Sequence, residues 1–206
     1  MTTIPRILTI QDMSSIGRCS LTVMLPIISA LQCQAVPLAT AVLSNHLEYP
    51  YFEIVDLSDH LTAFMDCWEK NNIDFNAIVS GFLASPEQIY LVEEAINRFG
   101  KDKMVIVDPA MADDGRLYSI YTPEMVKAMR HLISRAYIVK PNYTEACFLL
   151  DKPYSTNPIS NDELQDMCRK LYQLGPELVI MTSVPSETHA TIAVYEGTID
   201  KVSTYS

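Results

Sequence analysis

Short apolar runs recur along the chain, each followed by a polar cluster and then by apolar positions at helical spacing. Ile7–Ile10 is the first strand candidate, and a polar, small-residue stretch from Gln11 to Ser20 follows it. Leu21–Leu31 is continuously apolar and long enough for a buried helix. Ala35–Leu43 returns to strand character, ended by Ser44-Asn45-His46 and a Tyr-Pro-Tyr loop. Ser58 is positioned to cap the next helix, in which Leu61, Phe64, Met65 and Trp68 fall on one face. Phe75–Ser80 reads as a strand ending at Gly81. Ser85-Pro86-Glu87-Gln88 then starts a helix, with serine at the cap and proline at the first position, which Gly100 closes.

The second half repeats the pattern. Met104–Val107 is a strand ending at Asp108-Pro109, and the segment from Asp113 to Tyr118 reads as loop. Thr122-Pro123 opens a helix with Met125, Met129, Leu132 and Ile133 on its apolar side. Ala136–Val139 is a short buried strand stopped by Pro141, and a short helix runs on from Thr144. Ser160 and Glu163 form a capping box for a helix carrying Leu164, Met167, Cys168 and Leu171. Leu178–Met181 is a strand ending at Thr182-Ser183, and Thr191–Tyr195 with Lys201–Tyr205 reads as a hairpin around Glu196-Gly197. Strand and helix alternate without a linker. That order predicts a single α/β domain over residues 1–206, with a mainly parallel sheet and helices on both faces.

Composition narrows the partners. The chain has 206 residues and a formal net charge of −10, with no block of Lys or Arg to offset it. Free nucleic acid and anionic membranes are repelled by that balance, so neither is expected as a partner. Five cysteines, an odd number without a C-x-x-C pair, suggest neither a disulfide framework nor a zinc site. The N-terminus lacks the long apolar stretch of a signal peptide, so a cytoplasmic location is expected.

In open α/β sheets ligands bind beyond the carboxyl ends of the strands. Here those ends carry Gln11-Asp12, Ser44-Asn45-His46, Ser80-Gly81, Asp108, Lys140 with Asn142, and Thr182-Ser183. One polar strand end means little; this many on one rim favours a site there. Neither a phosphate loop of the G-x-x-x-x-G-K-[ST] type nor a G-x-G-x-x-G fingerprint occurs. His60 and His131 fall within helices, and His189 begins a late strand without an evident partner.

Asn142 and Glu145, three residues apart in a first helical turn, share one face. Two readings stand side by side. An amide oxygen and a carboxylate there can hold Mg²⁺ through water. Alternatively, Asn142 caps the helix and Glu145 sits at its positive end. Asp108 before Pro109 is likewise open to a turn role, and Thr182-Ser183 to that of an ordinary strand end.

The segments TIQDMSSIGRCSLTVMLPIISAL, AVLSNH, SGFLAS, VDPAMADDGRLY, VKPNYTEACFLL and VIMTS, in this order, resemble the pyridoxal/pyridoxamine kinase branch of the ribokinase-like family from about Ile7 to Ser183. The resemblance implies a three-layer ribokinase-like fold and ATP-dependent phosphorylation of the 5′-hydroxymethyl group of a B6 vitamer, with ATP and Mg²⁺ as cofactors. It implies a homodimer. A hydroxymethylpyrimidine kinase is the alternative within the same scaffold.

By the same resemblance, Asp12 stands where relatives often place a serine that touches the pyridine ring. His46 matches a ring-side histidine, Leu47 replaces a common threonine, and Phe82 replaces a common tyrosine. Tyr118 matches a tyrosine in the loop over the site. Asp108 and Asp113 match carboxylates near phosphates and metal. Asn142 and Glu145 match the N-x-x-E pair that organises Mg²⁺, and Thr182 and Ser183 match a pair touching ATP phosphates. Lys140 falls at a nucleotide-side position.

Relatives continue into a G-x-G-D motif whose aspartate is the general base, and that motif is absent before Ser206. The fold is therefore expected to be C-terminally incomplete and the 206-residue chain inactive alone. A relative that binds ligand without turnover is the alternative.

Overall fold

The computed structural model describes residues 4–47, 49–186 and 191–206, so His189 lies outside the described residues. Two compact units divide the chain, Met1–Val105 and Ile106–Ser206.

In the first unit, β1 (Arg6–Ser14) lies between β2 (Gln34–Leu43) and β4 (Ala77–Ser80), parallel to both. Leu8, Thr9 and Ile10 are all buried. A strand buried on successive residues is covered on both faces, as parallel sheets require. This explains why β1 reads as a continuous apolar run rather than an alternation. Its register against β2 shifts between Gln11 and Met13, an irregularity at its carboxyl end. β3 (Ile54–Asp56) adds antiparallel to the outer edge of β2. No sequence pattern marks it, because three residues are too short for a period to register.

Three helices complete this unit: α1 (Leu21–Ala30), α2 (Ser58–Lys70) and α3 (Pro86–Phe99). α1 is not the buried helix its composition predicts. Only Leu21 and Ile28 are buried, while Ile27 is 49% and the following Leu31 70% exposed. In α2, Leu61 and Met65 face the core as expected, but Phe64 is 53% exposed. Trp68 packs edge-on against Phe75 and Phe99. Ser58 is the first residue of α2 rather than its cap, and its backbone N–H and hydroxyl both donate to Asp56 Oδ1. The α3 start is as the sequence predicts, with the Ser85 hydroxyl accepting from Gln88 N at 3.2 Å.

Gln88 is fully buried, and its amide joins four partners. Oε1 accepts from Ala84 N, and Nε2 lies within hydrogen-bond distance of Thr40 O, Ser58 Oγ and Asp56 Oδ1. Gln88→Leu keeps the volume and strands those partners. Each buried polar group left unsatisfied costs about 1–3 kcal/mol, so a loss of roughly 2–4 kcal/mol is expected in urea denaturation. A change below about 0.5 kcal/mol would show that water replaces the amide.

β5 (Met104–Val107), which enters the second unit at Ile106, runs parallel with β8 (Ile138–Val139) and β9 (Leu178–Val184) in that order. β10 (Thr191–Glu196) and β11 (Lys201–Tyr205) follow as the predicted antiparallel hairpin. Arg169 forks onto the Asp200 carboxylate with two bonds of 2.9 Å, tying this hairpin's turn to α6 (Asn161–Tyr172). At the start of α6 the Ser160 hydroxyl accepts from Glu163 N. α4 (Pro123–Ile133) starts at Thr122 as expected, with Met125, Val126, Met129, Leu132 and Ile133 buried. α5 (Tyr143–Leu149) is a single short helix after β8.

The segment read as loop contains a small hairpin, β6 (Ala112–Asp113) and β7 (Arg116–Leu117). Asp114 and Gly115 both have positive φ, 46° and 75°. Two such residues in a row make the tight turn that matches strand twist, and Asp-Gly is a preferred sequence for it. Among the described residues, no helix is long and apolar enough to cross a membrane.

Candidate functional site

In the first unit, the β1 irregularity carries Asp12 into the interior, where it is 3% exposed. Its Oδ2 accepts from Ser14 Oγ at 2.9 Å, and its Oδ1 is buried without a hydrogen-bond partner. Burial raises the carboxyl pKa, against the opposing hydroxyls of Ser20 and Ser14. Gln11 Nε2 and Ser80 Oγ, on the adjoining strand ends, are likewise buried without partners. The Gln11 amide oxygen lies 2.1 Å from where a Cβ on Gly81 would stand, so a side chain at 81 would displace the Gln11 amide. Nothing in the sequence distinguishes Gln11 or Ser80 beyond its place at a strand end, since burial is not legible there.

His46 lies against the backbone of Gly17. A Cβ there would meet the imidazole Cδ2 at 2.0 Å, and the glycine has φ 123°. The imidazole also tilts against Tyr49, with centroids 4.9 Å apart. The His46 backbone N–H donates to Ile16 O. Gly17 is thus required twice, for its conformation and for the ring beside it. Leu47 follows, partly buried, and Phe82 is partly buried directly after Gly81.

In the second unit the strand ends draw together a charged group. Lys140 Nζ lies 2.7 Å from Asp108 Oδ2, and its backbone N–H donates to Val107 O. Burial raises the pKa of Asp108, and Lys140 opposes that shift. Asn142 bridges to Thr182, whose N–H donates to Pro141 O. Ser183 is exposed with φ 52°.

Asn142 and Glu145 form a complete capping box. Asn142 Oδ1 accepts from Glu145 N at 2.8 Å, and Glu145 Oε2 accepts from Asn142 N at 2.7 Å. The remaining atoms reach the small hairpin. Asn142 Nδ2 donates to Ala112 O, and Glu145 Oε1 accepts from Met111 N. Every polar side-chain atom of the pair is thus engaged with main chain. Burial, then the charge of Asp108, pushes the Glu145 carboxyl up to about 8, against the two N–H donors and Lys140.

Asp113 is exposed on β6 and accepts from Asp114 N. Tyr118 continues the hairpin, donating its N–H to Met111 O. Among the described residues no three His, Cys, Asp or Glu side chains cluster closely enough to hold a metal by themselves. The carboxylate oxygens of half-buried Asp108 and exposed Asp113 are hard donors that suit Mg²⁺ retaining its water. The structure thus brings Asp108, Lys140, Asn142, Glu145 and Thr182 into one connected group, with Asp113 and Tyr118 attached through the hairpin.

The fold and these residues can be set beside known proteins. A sequence profile described as phosphomethylpyrimidine kinase matches residues 25–204. No curated protein matches the chain. A crystal structure from Bacteroides thetaiotaomicron, described as a phosphomethylpyrimidine kinase, is 40% identical. It superposes with a TM-score of 0.94, covering 99% of this chain and 71% of that one. A second crystal form of that protein, with pyridoxal, gives 0.92 at the same identity, over 97% and 71% of the two chains. Pyridoxal kinase from Lactobacillus plantarum is 26% identical with a TM-score of 0.86, over 98% of this chain and 72% of that one. The ribokinase-like α/β architecture expected from the strand-end motifs is therefore the one observed. With the profile matched along most of its length and 40% identity to a solved relative, this chain belongs to the phosphomethylpyrimidine kinase family.

Proposed function

We propose that the protein is a B6-vitamer kinase, transferring the γ-phosphoryl group of ATP to the 5′-hydroxymethyl of pyridoxal, pyridoxamine or pyridoxine. The observation that carries this reading is buried Asp12, whose Oδ1 lacks a partner of good hydrogen-bond geometry although the Ser20 hydroxyl acts on the same carboxyl. A buried acceptor without a donor is costly, and an N–H on a ligand ring relieves that cost. A protonated pyridine nitrogen supplies such a donor with a complementary charge. The Bacteroides relative's crystal form with pyridoxal supports the same choice. His46, Leu47 and Phe82 are the further ring-side residues of this proposal, and Tyr118 joins them on the family resemblance alone.

On the phosphate side, Lys140, Thr182 and Ser183 contact ATP phosphates, with Asp108 and Asp113 facing hydrated Mg²⁺. When bound, the ion neutralises phosphate charge during transfer. Asn142 and Glu145 act on it through the backbone they hold, because their own polar atoms are already engaged. Catalysis is then positioning and charge neutralisation. A cytoplasmic homodimer belongs to the same proposal, resting on the family resemblance.

A hydroxymethylpyrimidine kinase is the second reading, favoured by the description of the matching family. The deciding measurement is ATP-dependent phosphorylation of pyridoxal, pyridoxamine, pyridoxine and hydroxymethylpyrimidine under one set of conditions. We expect kcat/KM at least about tenfold higher for a B6 vitamer, about 1.4 kcal/mol of discrimination. Preference for the pyrimidine would establish the second reading. Binding of vitamer without any turnover would make the chain a ligand-binding relative.

A further inference from the structure

Three side chains from a single helical turn reach the β6–β7 hairpin. Two belong to the N-x-x-E pair: Asn142 Nδ2 donates to Ala112 O at 2.8 Å, and Glu145 Oε1 accepts from Met111 N at 3.1 Å. The third does not. Thr144 Oγ1 accepts from Gly115 N at 3.1 Å, and Thr144 is 3% exposed. Gly115 is a central residue of the tight turn, whose amide has no partner in its own two-pair ladder. Here that amide is taken up by a neighbouring helix.

The turn is also covered from a second side. A Cβ on Gly115 would stand 2.5 Å from Tyr154 Cδ1, so the Tyr154 ring lies directly on the glycine backbone. Tyr154 in turn leans on Tyr143, the first residue of α5, with centroids 5.8 Å apart. Two-residue strands do not hold a hairpin in water by themselves. The position of this one is therefore set by what it is fastened to.

We propose that Thr144 and Tyr154 form a latch that holds the hairpin turn on α5, and that both are positioning residues for ATP binding. The hairpin carries Asp113, so the inference rests on the phosphate-side role proposed for that residue, whereas Tyr118 is held at the base, where its N–H donates to Met111 O. Asn142 and Glu145 fix the base of the hairpin, and the latch fixes its tip. With the tip released, Asp113 samples many positions, and the ordering entropy must be spent when ATP binds.

Thr144→Val keeps the shape and removes the acceptor, whereas Thr144→Ser keeps the acceptor. Tyr154→Ala uncovers the turn and removes the ring contact with Tyr143, while leaving the Thr144 acceptor in place. The readouts are hydrogen exchange at the Gly115 amide, ADP affinity by calorimetry, and the KM values for ATP and pyridoxal. In Thr144→Val and Tyr154→Ala we expect exchange and ATP KM each to rise about tenfold, ADP to bind correspondingly more weakly, and pyridoxal KM to stay unchanged. Thr144→Ser should stay near the parent protein in all four.

Unchanged Gly115 exchange in Thr144→Val overturns the latch. Faster exchange with unchanged ADP affinity and ATP KM overturns its role in nucleotide binding. If the parent protein phosphorylates neither a vitamer nor the pyrimidine, the kinase reading fails, and exchange with ADP affinity alone decides the latch. A parent protein that binds no nucleotide overturns both.

Discussion

Glu145→Ala is expected to lower phosphotransfer by about two to three orders of magnitude and to weaken the fold of the second unit. The carboxylate accepts from two buried backbone donors, Met111 N and Asn142 N. Stranding each costs about 1–3 kcal/mol, so roughly 2–6 kcal/mol of stability is at stake. Losing the Met111 anchor frees the hairpin that carries Asp113. The pH dependence gives a separate signature. The carboxyl is pushed from 4.5 up to about 8, chiefly by burial, so the folded protein holds this proton over a range where the unfolded chain has released it. Stability therefore falls as pH rises between those values, by up to roughly 1.4 kcal/mol per pH unit. Glu145→Ala removes that slope. Urea denaturation from pH 5 to pH 9 measures it, and equal slopes in the two proteins would refute the raised pKa. Asp108→Asn separates the metal from the brace. It should shift the Mg²⁺ concentration needed for half-maximal turnover, while leaving the Met111 and Asn142 bonds in place.

Asp12→Asn is expected to trade affinity for stability. Burial raises this carboxyl's pKa above 3.8, so the folded state binds the proton more tightly than the unfolded chain. The resulting loss of stability sets in as pH rises above the unfolded pKa, and it is complete once pH passes the folded one. An uncharged asparagine removes that loss, so the variant should melt higher than the parent at neutral pH. The same change removes the anionic partner proposed for the pyridine nitrogen. A hydrogen bond to a charged group is worth about 1.5–3 kcal/mol, which is roughly a 10- to 100-fold loss of pyridoxal affinity. ATP affinity should not change. Pyridoxal titrations between pH 6 and pH 9, with thermal melts in the same buffers, test both halves. Identical binding profiles for variant and parent would remove Asp12 from the ring site.

Both predictions rest on residues visible in the sequence whose roles were only half visible there. Asn142 and Glu145 carried two readings, a helix cap and a Mg²⁺ organiser. The capping box is present, and it extends to Met111 and Ala112 through two contacts, 34 and 30 residues apart in the chain. No local pattern reports where the second oxygen of a carboxyl group points. Thr144 lies between them without a local mark of its role, because a threonine in a first helical turn has no signature beyond its type. Its partner had one: Asp114-Gly115 is a tight-turn sequence, but the flanking strands are only two residues long. β3 was missed for the same reason.

What the sequence determined is what depends on near neighbours. Cap and proline pairs at Ser85-Pro86 and Thr122-Pro123 set helix starts because their partners lie within one turn. Alternating strands and helices set the α/β class, because a parallel sheet needs a crossover after each strand. The tertiary structure decided which apolar side chains are covered, leaving Phe64, Ile27 and Leu31 exposed although their spacing or composition suits a core. It also decided the electrostatics. Asp12 and Glu145 depart from ordinary carboxylates through burial, and Asp108 meets Lys140 only because β5 and β8 are neighbours in the sheet. Desolvation and charge pairing depend on distance in space, and that distance is fixed only once strands far apart in the chain lie side by side.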